Sequence, residues 1–224
     1  MGRSKIYPKI LLVEGDNDKR VIPEFIEQNG ILWELNPQEY IVKIKAKDSK
    51  ENLLSQTEIK TELKASGLEA LGIVVDADEN PQTRKQRIEQ IYESLGKNLN
   101  DNLSDNGLIF QLNSGIKFGI WMMPNNYNQG MLETFLSYLI EENNPNDNSL
   151  WQYVEEVVVE ASKRGATYKE VHLDKAKIHT WLAWQDEPGN QLHQAIKYKI
   201  FNSSHPKGQS FFVSVHGGYE VNMV

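Results

Sequence analysis

Short stretches of this chain are apolar almost without interruption. Lys9-Ile-Leu-Leu-Val13 and Leu71-Gly-Ile-Val-Val75 are rich in branched side chains and predict strands buried on both faces. Gly107-Leu-Ile-Phe-Gln-Leu112 and Lys117-Phe-Gly-Ile-Trp-Met-Met123 predict two more, with Asn113-Ser-Gly115 as a hairpin turn. Tyr40-Ile-Val-Lys-Ile44 alternates, as a strand nearer a sheet edge would. Between these runs the period lengthens. Val21, Ile22, Phe25 and Ile26 put one apolar stripe on a helix from about Asp18 to Gln28. A polar helix is expected over roughly Ser49 to Ala65, and a charged amphipathic one over Gln82 to Leu95, closed by Gly96. Leu132, Phe135, Leu136 and Leu139 share a face of a helix from Gly130 to Ile140, and Asn98 to Asn106 reads as a polar loop. This alternation predicts an α/β fold with a mostly parallel central sheet and helices on both faces.

Pro145, among the asparagines from Asn143 to Asn148, marks a boundary. Beyond it the pattern is helical over Leu150–Lys163, Lys169–Trp184 and Asn190–Phe201. An α/β domain over residues 7–142 and a helical C-terminal appendage over 148–224 are therefore expected. Trp181, Trp184, Ile178, Leu182 and Ala183 read as the appendage's packing. Phe211-Phe-Val-Ser-Val215 carries a strand signal, and the tail from His216 has no amphipathic pattern and is expected to be loose.

Composition narrows the chemistry. The chain has no cysteine, which removes disulfides, thiolate zinc sites and cysteine nucleophiles together. A net charge of -7 counts against sequence-independent nucleic-acid binding over the whole surface, while leaving room for a local basic patch. The N-terminal apolar run breaks at Glu14, too early for a secretory signal or a membrane span, so a cytoplasmic protein without a membrane partner is expected. Walker A, dinucleotide-binding and nucleophile-elbow patterns are absent.

The candidate site lies where two strands end. In open α/β sheets, ligands sit beyond the carboxyl ends of the strands. There the sequence places Val13-Glu-Gly-Asp-Asn-Asp18 and Val75-Asp-Ala-Asp-Glu-Asn80. Strand period points Asp76 and Asp78 to one side, with small Ala77 between, and Gly15 permits a sharp turn after Glu14. Converging hard oxygens suit magnesium or manganese. Each motif alone also fits ordinary structure: Asp18 could cap the first helix, and Asn80-Pro81 could open the third. Burial beside other carboxylates would raise the pKa of Glu14.

Together, Ile10-Leu-Leu-Val-Glu-Gly-Asp-Asn-Asp18 and Gly72-Ile-Val-Val-Asp-Ala-Asp78 resemble the TOPRIM domain. That domain is shared by topoisomerases, bacterial primases, RecR-type repair proteins and the overcoming-lysogenization-defect (OLD) nucleases. The layout with Trp121-Met-Met-Pro-Asn-Asn126 and Gly130-Met-Leu-Glu133 also resembles small stand-alone bacterial TOPRIM-like proteins. The resemblance implies a Rossmann-like fold, with Glu14 as metal ligand or general acid/base and Asp76 and Asp78 binding Mg2+ or Mn2+. Asp18 and Glu133 match further acidic positions of nuclease-type members, Glu133 as a ligand of a second metal. It implies Mg2+-dependent nuclease or other phosphoryl-transfer chemistry on nucleic acid, alone or beside a separate ATPase. A non-catalytic metal- and phosphate-binding module is the alternative, and a receiver-like signalling domain ranks last. Lys175 and Lys177 lie near where OLD-type nucleases carry a functional lysine, but solvated charges on a helix face are the expected reading. His172 and His179 are two helical turns apart, too far for paired metal ligands.

Overall fold

Alternate residues of the apolar strands feed two separate cores, one on each face of a single sheet. In the computed structural model, described for residues 7–32, 34–36, 39–40, 42–97, 107–140 and 149–219, the sheet has five strands in the order β4-β1-β5-β7-β6. These are β1 (Lys9–Val13), β4 (Lys43–Ala46), β5 (Ala70–Asp76), β6 (Leu108–Gln111) and β7 (Lys117–Met123); β2 (Glu34–Asn36) and β3 (Glu39–Tyr40) pair separately. All neighbours in the five-stranded sheet run parallel except the β6–β7 hairpin. Leu11 and Val13 of β1, Val74 of β5 and Trp121 and Met123 of β7 face one core. Ile10 and Leu12, Leu71 and Ile73, and Phe118 and Ile120 face the other. The expected α/β architecture, with helices on both faces, is the one observed.

The second core is closed by α2 (Lys50–Leu53), α3 (Gln56–Glu62) and α4 (Pro81–Ser94). The single polar helix expected over Ser49–Ala65 is two, because Ser55 leaves the helical conformation (φ -73°, ψ 119°) and caps a fresh start by accepting from Glu58 N–H. The first core is closed by α1 (Asp16–Gln28), α5 (Leu132–Ser137), α6 (Leu150–Lys163), α7 (Leu173–Leu182), α8 (Leu192–Lys197) and α9 (Pro206–Tyr219).

Several local expectations change. Tyr40–Ile44 is not one strand, since Tyr40 ends β3 and β4 begins at Lys43, although β4 does lie at the sheet edge. Phe211–Val215 is not a strand. It lies within α9, where Phe211 packs against Phe25, Trp121 and Phe135 with ring centroids 5.3–5.7 Å apart. That burial overrides the β preference of the local sequence. Helix α9 also carries the chain to Tyr219. Trp181, Ile178 and Leu182 are core, as expected, but Trp184 and Ala183 are exposed, Trp184 stacking on Tyr153 at the surface. The loop at Asn98–Asn106, the boundary at Asn143–Asn148 and the last five residues lie outside the described residues. Among the described residues, no helix is long and apolar enough to cross a membrane.

Candidate metal centre

The connections position the site. The chain leaves β1 through α1 to β4 on one side, then crosses back through α2 and α3 to β5 on the other. Such a reversal opens a crevice between the carboxyl ends of the two strands from which the chain departs in opposite directions, here β1 and β5. Glu14 follows β1 and Asp76 ends β5, so both acids stand at this crevice.

Glu14 is half-buried, with Oε2 enclosed and without a hydrogen-bond partner. Burial raises its pKa; the charges of Asp78 and Asp18 push the same way, and Arg84 and Lys50 oppose them. Asp18, in the first turn of α1, is 8 % exposed and its Oδ2 accepts a hydrogen bond from Gly15 N–H at 3.0 Å. The capping role that the sequence allowed is real. Burial nevertheless lifts Asp18 to about 6, with Glu133 adding to the rise, while the bond from Gly15 and the charge of Lys175 lower it. Asp76 accepts from Leu132 N–H at 3.1 Å through Oδ1. Part of the residue still reaches solvent, but protein crowds the carboxyl. That burial, then the charges of Asp18, Glu14, Glu133 and Asp78, hold it well above the usual carboxylate range.

Glu133 sits in the first turn of α5 and is 3 % exposed, far more enclosed than a macrodipole partner on a helix surface. Its Oε1 lies 3.3 Å from Lys175 Nζ, an ionic contact without hydrogen-bond alignment. Helix α7 is tied to the start of α5 by a further contact, since Thr134 Oγ1 donates to Asp174 and accepts from Met131 N–H. Lys175 is therefore not a freely solvated helix charge. Nor is Lys177, which pairs with Glu155 at 3.0 Å. The local sequence around Lys175 gives no sign of this, because its partner lies 42 positions earlier.

Asp78 behaves differently from Asp76. Its backbone takes a left-handed conformation (φ 55°), which breaks the strand alternation expected to put both aspartates on one side. The turn is held by reciprocal backbone hydrogen bonds of 2.9 Å with Gly130. Gly130 has φ 139°, and a Cβ there would stand 2.5 Å from Thr134 Oγ1, so only glycine fits. The Asp78 carboxylate is engaged by Arg84 Nη2 at 2.6 Å and Lys50 Nζ at 3.0 Å. Neither cation was singled out from sequence; Arg84 follows the cap Asn80 by four positions on α4, and that spacing was the available signal. Beyond them opens a cleft of about 940 Å3 whose lining carries both signs, including Lys50, Arg84, Arg87, Glu170 and Asp174.

The crevice thus gathers Glu14, Asp18, Asp76 and Glu133 close enough for their charges to interact, with Lys175 beside them. The donor set is oxygen-rich and suits a hard divalent cation. Glu14 Oε2 is enclosed there without a hydrogen-bond partner. Among the described residues, no three carboxylate or imidazole groups form a ready-made metal cage.

Among solved structures, the chain is similar to the C-terminal region of the Burkholderia pseudomallei OLD protein, with 12% identity, 95% of this chain and 89% of that chain covered, and a TM-score of 0.40. It is also similar to the C-terminal region of the Xanthomonas campestris pv. campestris OLD protein, with 14% identity, 92% and 84% covered, and a TM-score of 0.38. These similarities assign no residue a role. No curated protein matches the sequence. A family profile described as "Protein of unknown function (DUF3226)" spans residues 8–214, and the chain belongs to that family.

Proposed function

We propose that this protein is a TOPRIM-like, divalent-metal-dependent phosphoryl-transfer protein of nuclease type, acting on nucleic acid. The observation that carries the reading is the acidic crevice, in which Glu14 Oε2 is enclosed without a hydrogen-bond partner and Asp76 is held well above the usual carboxylate range by burial and then by its neighbouring carboxylates, of which Glu133 and Asp78 have cations beside them. A protein gains no stability from such repulsion, so the arrangement is best explained by a cation that occupies it. Glu14 and Asp76 would hold Mg2+ or Mn2+, with Asp18 and Glu133 adjoining. Bound there, the ion would polarise a phosphoryl oxygen and acidify a water. Glu14, raised by burial, has its pKa moved in the direction that proton transfer near neutrality requires. Lys175 holds Glu133 in place and offers a positive charge to an incoming phosphate. Asp78, occupied by Arg84 and Lys50, positions the loop at the cleft mouth.

A second reading, a metal- and phosphate-binding module that does not cleave, draws support from that same occupied Asp78 and from the unclosed spacing of the acids. Incubating supercoiled plasmid and single-stranded DNA with the protein in Mg2+ or Mn2+ separates the two. Metal-dependent nicking abolished by Asp76→Ala is expected. Metal binding by titration with no cleavage in either metal would select the binding module.

A further inference from the structure

We propose that a cleft between α1, α7 and the start of α8 is a phosphate subsite, receiving a backbone phosphate of the same nucleic-acid strand next to the one at the acidic crevice. The cleft encloses about 420 Å3 and is lined by Arg20, His179, His193, Asn17 and Asn190 among others, with no carboxylate among the described lining residues. Its polar side chains can all donate hydrogen bonds: a guanidinium, two imidazoles and three amides. A fork of guanidinium donors matches phosphate oxygens, and imidazole and amide N–H groups complete such a shell.

Two helices run from the acidic crevice into this cleft. On α7, Lys175 touches Glu133 and His179 follows one turn later on the same side of the helix. On α1, Asp18 faces the acids while Asn17 and Arg20, on the exposed side of the first turns, line the cleft. One helical turn, about 5.4 Å along the axis, thus separates His179 from Lys175 on α7. The larger cleft beside Asp78 is the weaker candidate for this role, because Glu170 and Asp174 line it and Asp78 already occupies Arg84 and Lys50.

This inference rests on the phosphodiester reading for its substrate, but its test does not need cleavage. A fluorescein-labelled single-stranded 20-mer is titrated with the full chain by anisotropy, once in EDTA and once in Ca2+, over a range of salt. Arg20→Glu is expected to weaken binding by about tenfold and to lower the salt slope by about 0.7, the share of one lost phosphate contact on a single strand. His179→Ala should weaken it by about threefold on loss of one donor to phosphate, and Arg20→Lys, which keeps the charge but not the fork, should keep the salt slope while weakening binding less than Arg20→Glu does. Arg20 is exposed, and unchanged thermal melting of each variant checks that the fold is intact. Equal binding by wild type and Arg20→Glu, or no binding by wild type in either condition, overturns the proposal. So does Arg20-dependent binding of inorganic pyrophosphate without oligonucleotide binding, which would leave a phosphate site that takes no strand. Loss of metal-dependent cleavage in Asp76→Ala with Arg20-dependent binding intact would separate this subsite from the chemistry.

Discussion

Two clusters of ionisable groups lie near the sheet, and their balance is opposite. Near the edge strand β4, Lys45 and Lys47 reach Glu62 at 2.7 and 2.9 Å, and Lys47 also reaches Glu58 at 3.2 Å. Burial works against the Glu62 carboxylate, but the hydrogen bonds from Lys45 and Lys47 outweigh it and hold its pKa below the ordinary value. At the crevice between β1 and β5, burial acts on Asp76 in the same direction and the neighbouring charges reinforce it. Where each carboxylate meets its cation, the cluster ties α3 to the sheet; the surplus of negative charge at the crevice is what the proposed function assigns to a cation.

The sharpest way to break this comparison is to neutralise one acid in each cluster. Asp76→Asn is expected to reduce metal-dependent cleavage by about a hundredfold or more, as removal of a metal ligand does, while Glu62→Gln leaves it within about twofold. Plasmid-nicking rates for both variants check this, and equal losses would dissolve the distinction. In metal-free buffer the effects on stability should reverse. Glu62→Ala leaves Lys45 without its carboxylate and Lys47 with Glu58 alone, and should cost about 1 kcal/mol in urea unfolding, whereas Asp76→Asn should be neutral or stabilising and should abolish the rise in Tm expected for the wild type in Mn2+. Gly130→Ala tests the turn that holds Asp78 against Arg84 and Lys50. It should cost about 1–3 kcal/mol through strain, and melting curves will read it.

The smallest effect concerns pH, where the two clusters carry opposite signs. Asp18 has a folded-state pKa of about 6 against an ordinary 3.8, so the folded state binds the extra proton between those values. Its contribution is complete below about 4 and is lost as pH rises toward 6. Glu62 is shifted downward, so its contribution is present above its ordinary 4.5 and is lost as pH falls through the lower folded value. Asp18→Asn keeps an acceptor for Gly15 N–H and should flatten the pH 4–6 limb, while Glu62→Gln should flatten the limb below it. Unfolding midpoints across pH 3–8 will distinguish them.

Much of the fold was legible along the chain, and for physical reasons. Lys9–Val13 and Leu71–Val75 are apolar at every buried position because both faces of a central parallel strand are covered, and that leaves little else for such runs to be. The acids at their ends were legible because residues just past a strand's carboxyl end face the crevice whatever the helices do. Phe211–Val215 was not legible, because a short apolar run has no period that distinguishes a buried helix from a strand. Proximity of Lys175 to Glu133, engagement of Asp78 by Lys50 and Arg84, and the left-handed turn locked by Gly130 each join segments distant in sequence. The sequence by itself determined which residue types stand at the strand ends, since period and burial are local properties of the chain. Only the tertiary structure decided which of those acids are neutralised and which are left in surplus, because charge compensation depends on what long-range packing brings within a few ångströms.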